Sequence, residues 1–105
     1  MTLSIAGRCA ETGMLGGAVT SSSICVASRC LFTRAGVGTA LTQNVTDPSL
    51  GEKMLNLLES GGDVKTAVSK VVSDENNIQW RQLVLMDSTG TVSYTHLTLP
   101  TKRIV

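Results

Sequence analysis

Thr2 is the first residue of this chain at which covalent chemistry could begin. A small second residue permits removal of Met1, and Thr2 would then carry a hydroxyl nucleophile and a free α-amine together. The unperturbed pKa of an α-amine, about 7.7 to 8.0, leaves a neutral fraction near pH 7 able to take the hydroxyl proton. The only histidine, His96, lies in a tail that reads unlike the rest of the chain, so a Ser-His-Asp or Cys-His arrangement has no other imidazole to use. A plainer reading stays open beside this one. Many chains begin Met-Thr, and Thr2 then does no more than open a strand.

Other groups could serve such a nucleophile. Thr20 to Ser23 sets four hydroxyls in a row, among which Ser21 and Ser22 are candidate substrate-binding donors, although a polar turn explains the run equally. Gly36 and Gly38, within RAGVGTALTQ, are candidate oxyanion donors through their backbone N–H groups; tight turns explain them as well. Their GxG spacing lacks the third glycine and following helix of a dinucleotide fingerprint, so no cofactor is expected. Cys9, Cys25 and Cys30 have neither CxxC nor Cys/His zinc spacing. They read as reduced thiols, and no metal site is expected. Arg34 and Asp87 read as surface or turn residues and Trp80 as core.

Composition narrows the partners. With 105 residues and 42% hydrophobic content the chain fits one domain with a modest core. Nine Lys and Arg against eight Asp and Glu leave no basic field for a nucleic-acid backbone or an anionic membrane surface. The apolar runs are too short to span a bilayer, and the N-terminus lacks a secretory pattern. A cytoplasmic protein acting on a small molecule or peptide is expected, and the sequon at Asn44 is read as a chance match.

The elements that must position these residues follow from periodicity. Leu3 and Ile5 alternate with Ser4 and Ala6, predicting a strand buried on the Leu3/Ile5 face, with Thr2 on the opposite face. Glu11-Thr12-Gly13 turns the chain into a return strand over Met14 to Thr20, where Gly16 and Gly17 ask for a closely packed neighbour. Ile24 to Phe32 has no settled state, and Arg34 to Gln43 predicts a short strand between tight turns. Asp47-Pro48 starts a helix to about Ser60, striped by Leu50, Met54, Leu57 and Leu58 and ended by Gly61-Gly62. Asp63 caps a second helix with Val64, Ala67, Val68, Val71 and Val72 on one face. Trp80 to Met86 and Thr91 to Thr95 predict strands around the Asp87-Ser88-Thr89-Gly90 turn. Strands, two helices and strands again make an α+β layered fold.

Residues 1–95 therefore read as a single domain, and 96–105 as a non-native or disordered tail. SYTHLTLPTKRIV resembles translated sequencing-adapter sequence, which places the end of native sequence between Thr91 and Thr95.

Three stretches together, SIAGRCAETGMLGGAVTSSS, RAGVGTALTQNVTDPSLG and IQWRQLVLMDSTG, resemble a bacterial family known as domain of unknown function 1028. The likeness runs from Thr2 to about Val92. It implies an N-terminal-nucleophile (Ntn) hydrolase-like fold, two antiparallel sheets between helical layers. It also implies an amide hydrolase whose nucleophile falls on Thr2, with Ser21 to Ser23 near the cleft. Family domains look about twice as long, so this chain is expected to be an incomplete sandwich, inactive by itself. Its uncovered apolar sheet would favour a homo-oligomer. A glycine that similar proteins carry just after Tyr94 is here Thr95 or His96. The alternative is a non-catalytic ligand- or protein-binding module on the same layers.

Overall fold

The computed structural model describes residues 2–22, 30–44, 48–74 and 81–95. Alternating residue sizes open the chain as a hairpin. β1 (Thr2–Arg8) and β2 (Leu15–Ser21) pair antiparallel, with Thr2 opposite Ser21 at one end and Arg8 opposite Leu15 at the other. The expected turn joins them, the Gly13 N–H donating to the Cys9 carbonyl at 2.8 Å.

The period of two holds in β1, but its phase is the reverse of the expectation. Leu3 and Ile5 are 60% and 41% exposed, whereas Ser4, Ala6 and Arg8 are half-buried against a second sheet. Size accounts for the reversal, because small inward residues let the two layers approach closely. At Gly17, opposite Ala6, an added Cβ would lie 2.7 Å from a Leu31 methyl carbon. Gly17 thus meets a side chain of the facing sheet and the Ile5 carbonyl of its partner strand, whereas Gly16, where a close backbone was likewise expected, has open space beside it.

That second sheet has the antiparallel order β3 (Leu31–Arg34), β4 (Gly38–Asn44), β5 (Arg81–Asp87) and β6 (Val92–Tyr94). One face meets the hairpin, β1 lying against β4 and β2 against β3 and β4. The other face meets α1 (Ser49–Glu59) and α2 (Val64–Asp74). Ala40, Leu83 and Leu85 meet Leu50, Met54 and Leu55 of α1 and the valines of α2 in the main core. The α1 stripe is rotated slightly from the expected one: Leu55 is buried, while Leu57 and Leu58 are half-buried at its margin. The α2 face agrees with the expectation, with Val64, Ala67, Val68 and Val71 buried and Val72 packed beside them.

The end of α1 and the start of α2 follow the expected chemistry, but the start of α1 does not: Pro48, expected as the first helical residue, stands at the N-cap with no side-chain capping bond, and the helix begins at Ser49. Gly61, at φ 108°, ends α1 in a conformation that costs a residue with a Cβ. Asp63 Oδ1 accepts the Thr66 N–H at 2.7 Å, and that bond holds the Asp63 carboxyl below its usual range. Arg34, read from sequence as a surface or turn residue, reaches from the end of β3 to α1. Its guanidinium donates to Glu52 at 2.7 Å, to Glu59 at 2.6 Å and to Asn56 at 2.9 Å.

Asp87 organises the β5–β6 turn. Its Oδ1 accepts from the Thr89 N–H at 2.9 Å, the Thr89 hydroxyl at 2.6 Å and the Thr91 N–H at 3.0 Å. Burial pushes the carboxyl up, but these bonds together outweigh it and hold Asp87 below the usual carboxylate range. A carboxyl depressed in the folded state stabilises above its unfolded pKa, and that contribution is lost as pH falls through the folded value. We therefore expect the melting temperature of Asp87→Asn to trail that of the parent at pH 7 and to converge with it only as the pH falls below the usual carboxylate range. Parallel curves across that range would contradict the assignment.

Two antiparallel sheets and two helices thus form an α+β fold among the described residues. The helices lie on one side of the sheet pair, and the second helical layer that the Ntn-like resemblance implies is not among these residues. Ile24, Cys25, Asp47, Trp80 and the tail at 96–105 fall outside the described residues, and so do the expectations attached to them. No helix among the described residues is long and apolar enough to cross a membrane.

Candidate functional site

Strand direction decides what Thr2 lies near. Ser4 Oγ donates to Gln43 Oε1 at 3.3 Å near the end of β4, and Arg8 Nε donates to the Ser88 carbonyl at 2.6 Å just past the end of β5. Asp87 pairs with Gly38, and Asn44 pairs with Arg81. β1 therefore runs antiparallel to β4, with Thr2 towards the Asn44/Arg81 end and Arg8 towards the Gly38/Asp87 end.

At the Thr2 end, polar groups line the gap between the sheets. From Ser4 the chain of hydrogen bonds continues across the sheet, Gln43 Nε2 donating to Gln82 Oε1 at 2.8 Å. Ser4, Gln43 and Gln82 are all half-buried. Farther along, the same gap holds buried Leu41 and Met86 together with buried Thr39, whose hydroxyl lies 3.4 Å from that of Thr33. Thr2 stands two positions before Ser4, at the same phase of β1, and its backbone faces Ser21 of β2 in register. Thr2, Ser4, Ser21, Gln43 and Gln82 are thus gathered at one end of the gap, and Ser22 follows Ser21 there as an exposed residue.

Gly36 and Gly38 are not brought to this end. β4 has six steps from Gly38 to Asn44, about 20 Å at a strand's rise of roughly 3.3 Å per residue. Gly36 has φ 73° in the β3–β4 turn, where the Val37 N–H donates to the Arg34 carbonyl at 3.0 Å. Gly38 is buried for a packing reason. A Cβ there would overlap the Met86 carbonyl oxygen and come within 2.9 Å of a Leu58 methyl carbon. Because a backbone oxygen in a paired strand cannot yield, Gly38→Ala should cost about 1–3 kcal/mol of stability. A melting temperature unchanged from the parent would refute this close approach.

Sequence reasoning missed the Ser4–Gln43–Gln82 row. The available signal was two glutamines in strands whose other interior positions are apolar residues and threonine. What it lacked was the pairing of β4 with β5, which sets Gln43 opposite Gln82. Cys9, an exposed thiol at the hairpin turn, lies at the other end of β1. Hydrogen bonds from the Thr12 hydroxyl and from the Thr12 and Glu11 backbone, with Arg8 nearby, hold it below the usual thiol range. No cluster of three or more metal-ligating side chains occurs among the described residues.

The Family of unknown function (DUF1028) matches residues 2–97 of the chain. This chain belongs to the DUF1028 family. The comparison with solved structures adds a DUF1028 protein, SPO2555 from Silicibacter pomeroyi, 32% identical with a TM-score of 0.85. The alignment covers 90% of this chain and 42% of the solved one, so the chain spans less than half of that DUF1028 protein. No curated protein matches the chain.

Proposed function

We propose that the DUF1028 architecture to which this chain belongs is an Ntn-type amide hydrolase with Thr2 as its nucleophile. The observation that carries the reading is the strand position of Thr2, two residues before Ser4 in β1, at the end of the sheets where Ser4, Gln43 and Gln82 form a polar row. A nucleophile at the head of a paired strand is held by backbone rather than by a loop, which aims it. The polar row at that end offers hydrogen-bond partners to an amide substrate.

In this reaction the Thr2 hydroxyl oxygen attacks the carbonyl carbon of the substrate amide. Its proton passes to the neutral α-amine and from there to the departing nitrogen, so the C–N bond breaks and an ester to Thr2 remains. Water, deprotonated by the same amine, hydrolyses that ester and restores Thr2. Ser21 and Ser22 serve as substrate donors in this reading. Gly36 and Gly38 would have no part in the same cleft, given their distance along β4.

Removal of Met1 is the precondition, and intact-mass measurement on the full-length parent protein tests it. The expected mass lacks one methionine. Hydrolysis by a protein that retains Met1 would sink the proposal, and retained Met1 without hydrolysis would favour the non-catalytic binding module.

A further inference from the structure

We infer that the groove between α1 and α2 is a binding site for a free α-amino acid with an aliphatic side chain. The four-stranded sheet lies between these helices and the hairpin that begins at Thr2, so the inference stands whether or not Thr2 is catalytic.

The groove has an apolar floor. The link from Ser60 to Asp63 is short, which makes α1 and α2 antiparallel neighbours, and a cleft of about 260 Å3 opens between them. Leu50 and Val71 at its base are buried members of the main core, and Leu57 is half-buried beside them. The cleft is smaller than the roughly 300–1,000 Å3 of sites for drug-sized ligands, and it suits a smaller molecule.

The rim carries charges of both signs. Lys53 stands on the α1 wall and Lys70 on the α2 wall, with Asp74 one helical turn beyond Lys70. All three are exposed, and among the described residues none has an ion-pair partner. Glu52 and Glu59, the acidic residues of α1, are engaged elsewhere, because Arg34 holds both.

These charges narrow the ligand. Two cations on facing walls favour a carboxylate between them, and Asn56 adds a donor there: Arg34 donates to its Oδ1 at 2.9 Å, which leaves its Nδ2 for the ligand. Asp74 would repel a simple carboxylate in the same cleft. It attracts one whose neighbouring carbon carries an ammonium, which is the arrangement of an α-amino acid. Residues four apart on a helix lie about 5–6 Å from each other, so Lys70 and Asp74 can hold the two charged groups of one such molecule. The aliphatic side chain then leaves water for the floor of Leu50, Leu57 and Val71.

Titration calorimetry of the purified chain with leucine tests the site. Saturable binding with a Kd of about 1 mM or tighter is expected. Isocaproate, which lacks the ammonium, and isoamylamine, which lacks the carboxylate, should each bind at least about fivefold more weakly. Amide shifts on adding leucine should fall in α1 and α2. Lys70→Gln should weaken leucine about fivefold, whereas Asp74→Asn should weaken leucine and tighten isocaproate, an exchange that a purely structural role for Asp74 would not produce. Both positions are exposed, so the melting temperature should hardly move. Should either variant unfold, the comparison of the three ligands on the parent chain still decides. No saturation by about 10 mM leucine overturns the inference. Isocaproate binding as tightly as leucine overturns it too, as do leucine shifts confined to the hairpin.

Discussion

Leu83→Ala should remove about 2–5 kcal/mol of folding stability, in a domain whose total is of the order of 5–15 kcal/mol. Leu83 is fully buried in β5 and faces the helices, among the leucines and Met54 of the main core. Truncation there loses the transfer energy of the side chain and leaves a cavity between sheet and helices that neither layer can close. Urea unfolding should show a lower midpoint with an unchanged slope, the mark of altered stability without an altered denatured state. Leu3→Ala is the informative partner experiment. The same chemical change at a residue 60% exposed should move stability by no more than about 0.5 kcal/mol. Equal costs at the two positions would mean that the hairpin layer is turned over relative to the arrangement described.

On the proposed function, Thr2→Ala should reduce turnover of the full-length parent by at least about a thousandfold, because removing a nucleophile removes the step and not just a contact. Acylation by an activated p-nitrophenyl ester gives a readout that needs no knowledge of the natural substrate, with the modified residue located by peptide mass. Thr2→Ser keeps a hydroxyl and an α-amine and should stay within about a hundredfold of the parent. The amine must be neutral to accept the proton, so acylation should rise with pH through about 7.7 to 8.0, the reference range of that group, and level off above it. Turnover equal to the parent in Thr2→Ala, or a flat pH profile in the parent, would remove Thr2 from the reaction.

What sequence makes legible here depends on the range of the interaction. Helix α2 could be read almost residue by residue, since its valine stripe, the Asp63 cap and the preceding glycine are local features with local causes. The hairpin was equally legible as a hairpin. Its facing was not, because the outward position of Leu3 and Ile5 depends on a sheet formed by residues some forty or eighty positions later. The polar row of Gln43 and Gln82 was hidden for the same reason, as it exists only once β4 and β5 are in register. Arg34 was placed among surface residues by composition, and its bonds to Glu52, Asn56 and Glu59 depend on where α1 falls against β3.

The bond from Arg8 to the carbonyl of Ser88 spans 80 positions. During synthesis, which proceeds from the N-terminus at roughly five to twenty residues per second, that partner does not exist until the 80 positions between them have been made. The first strand can close its hairpin early, but it acquires its seat on the larger sheet only after the turn that carries Ser88 has been made. On the proposed role of Thr2, removal of Met1 would have to act on this N-terminus, and the interval before the layers meet, on the order of several seconds, is the window in which it would be most accessible.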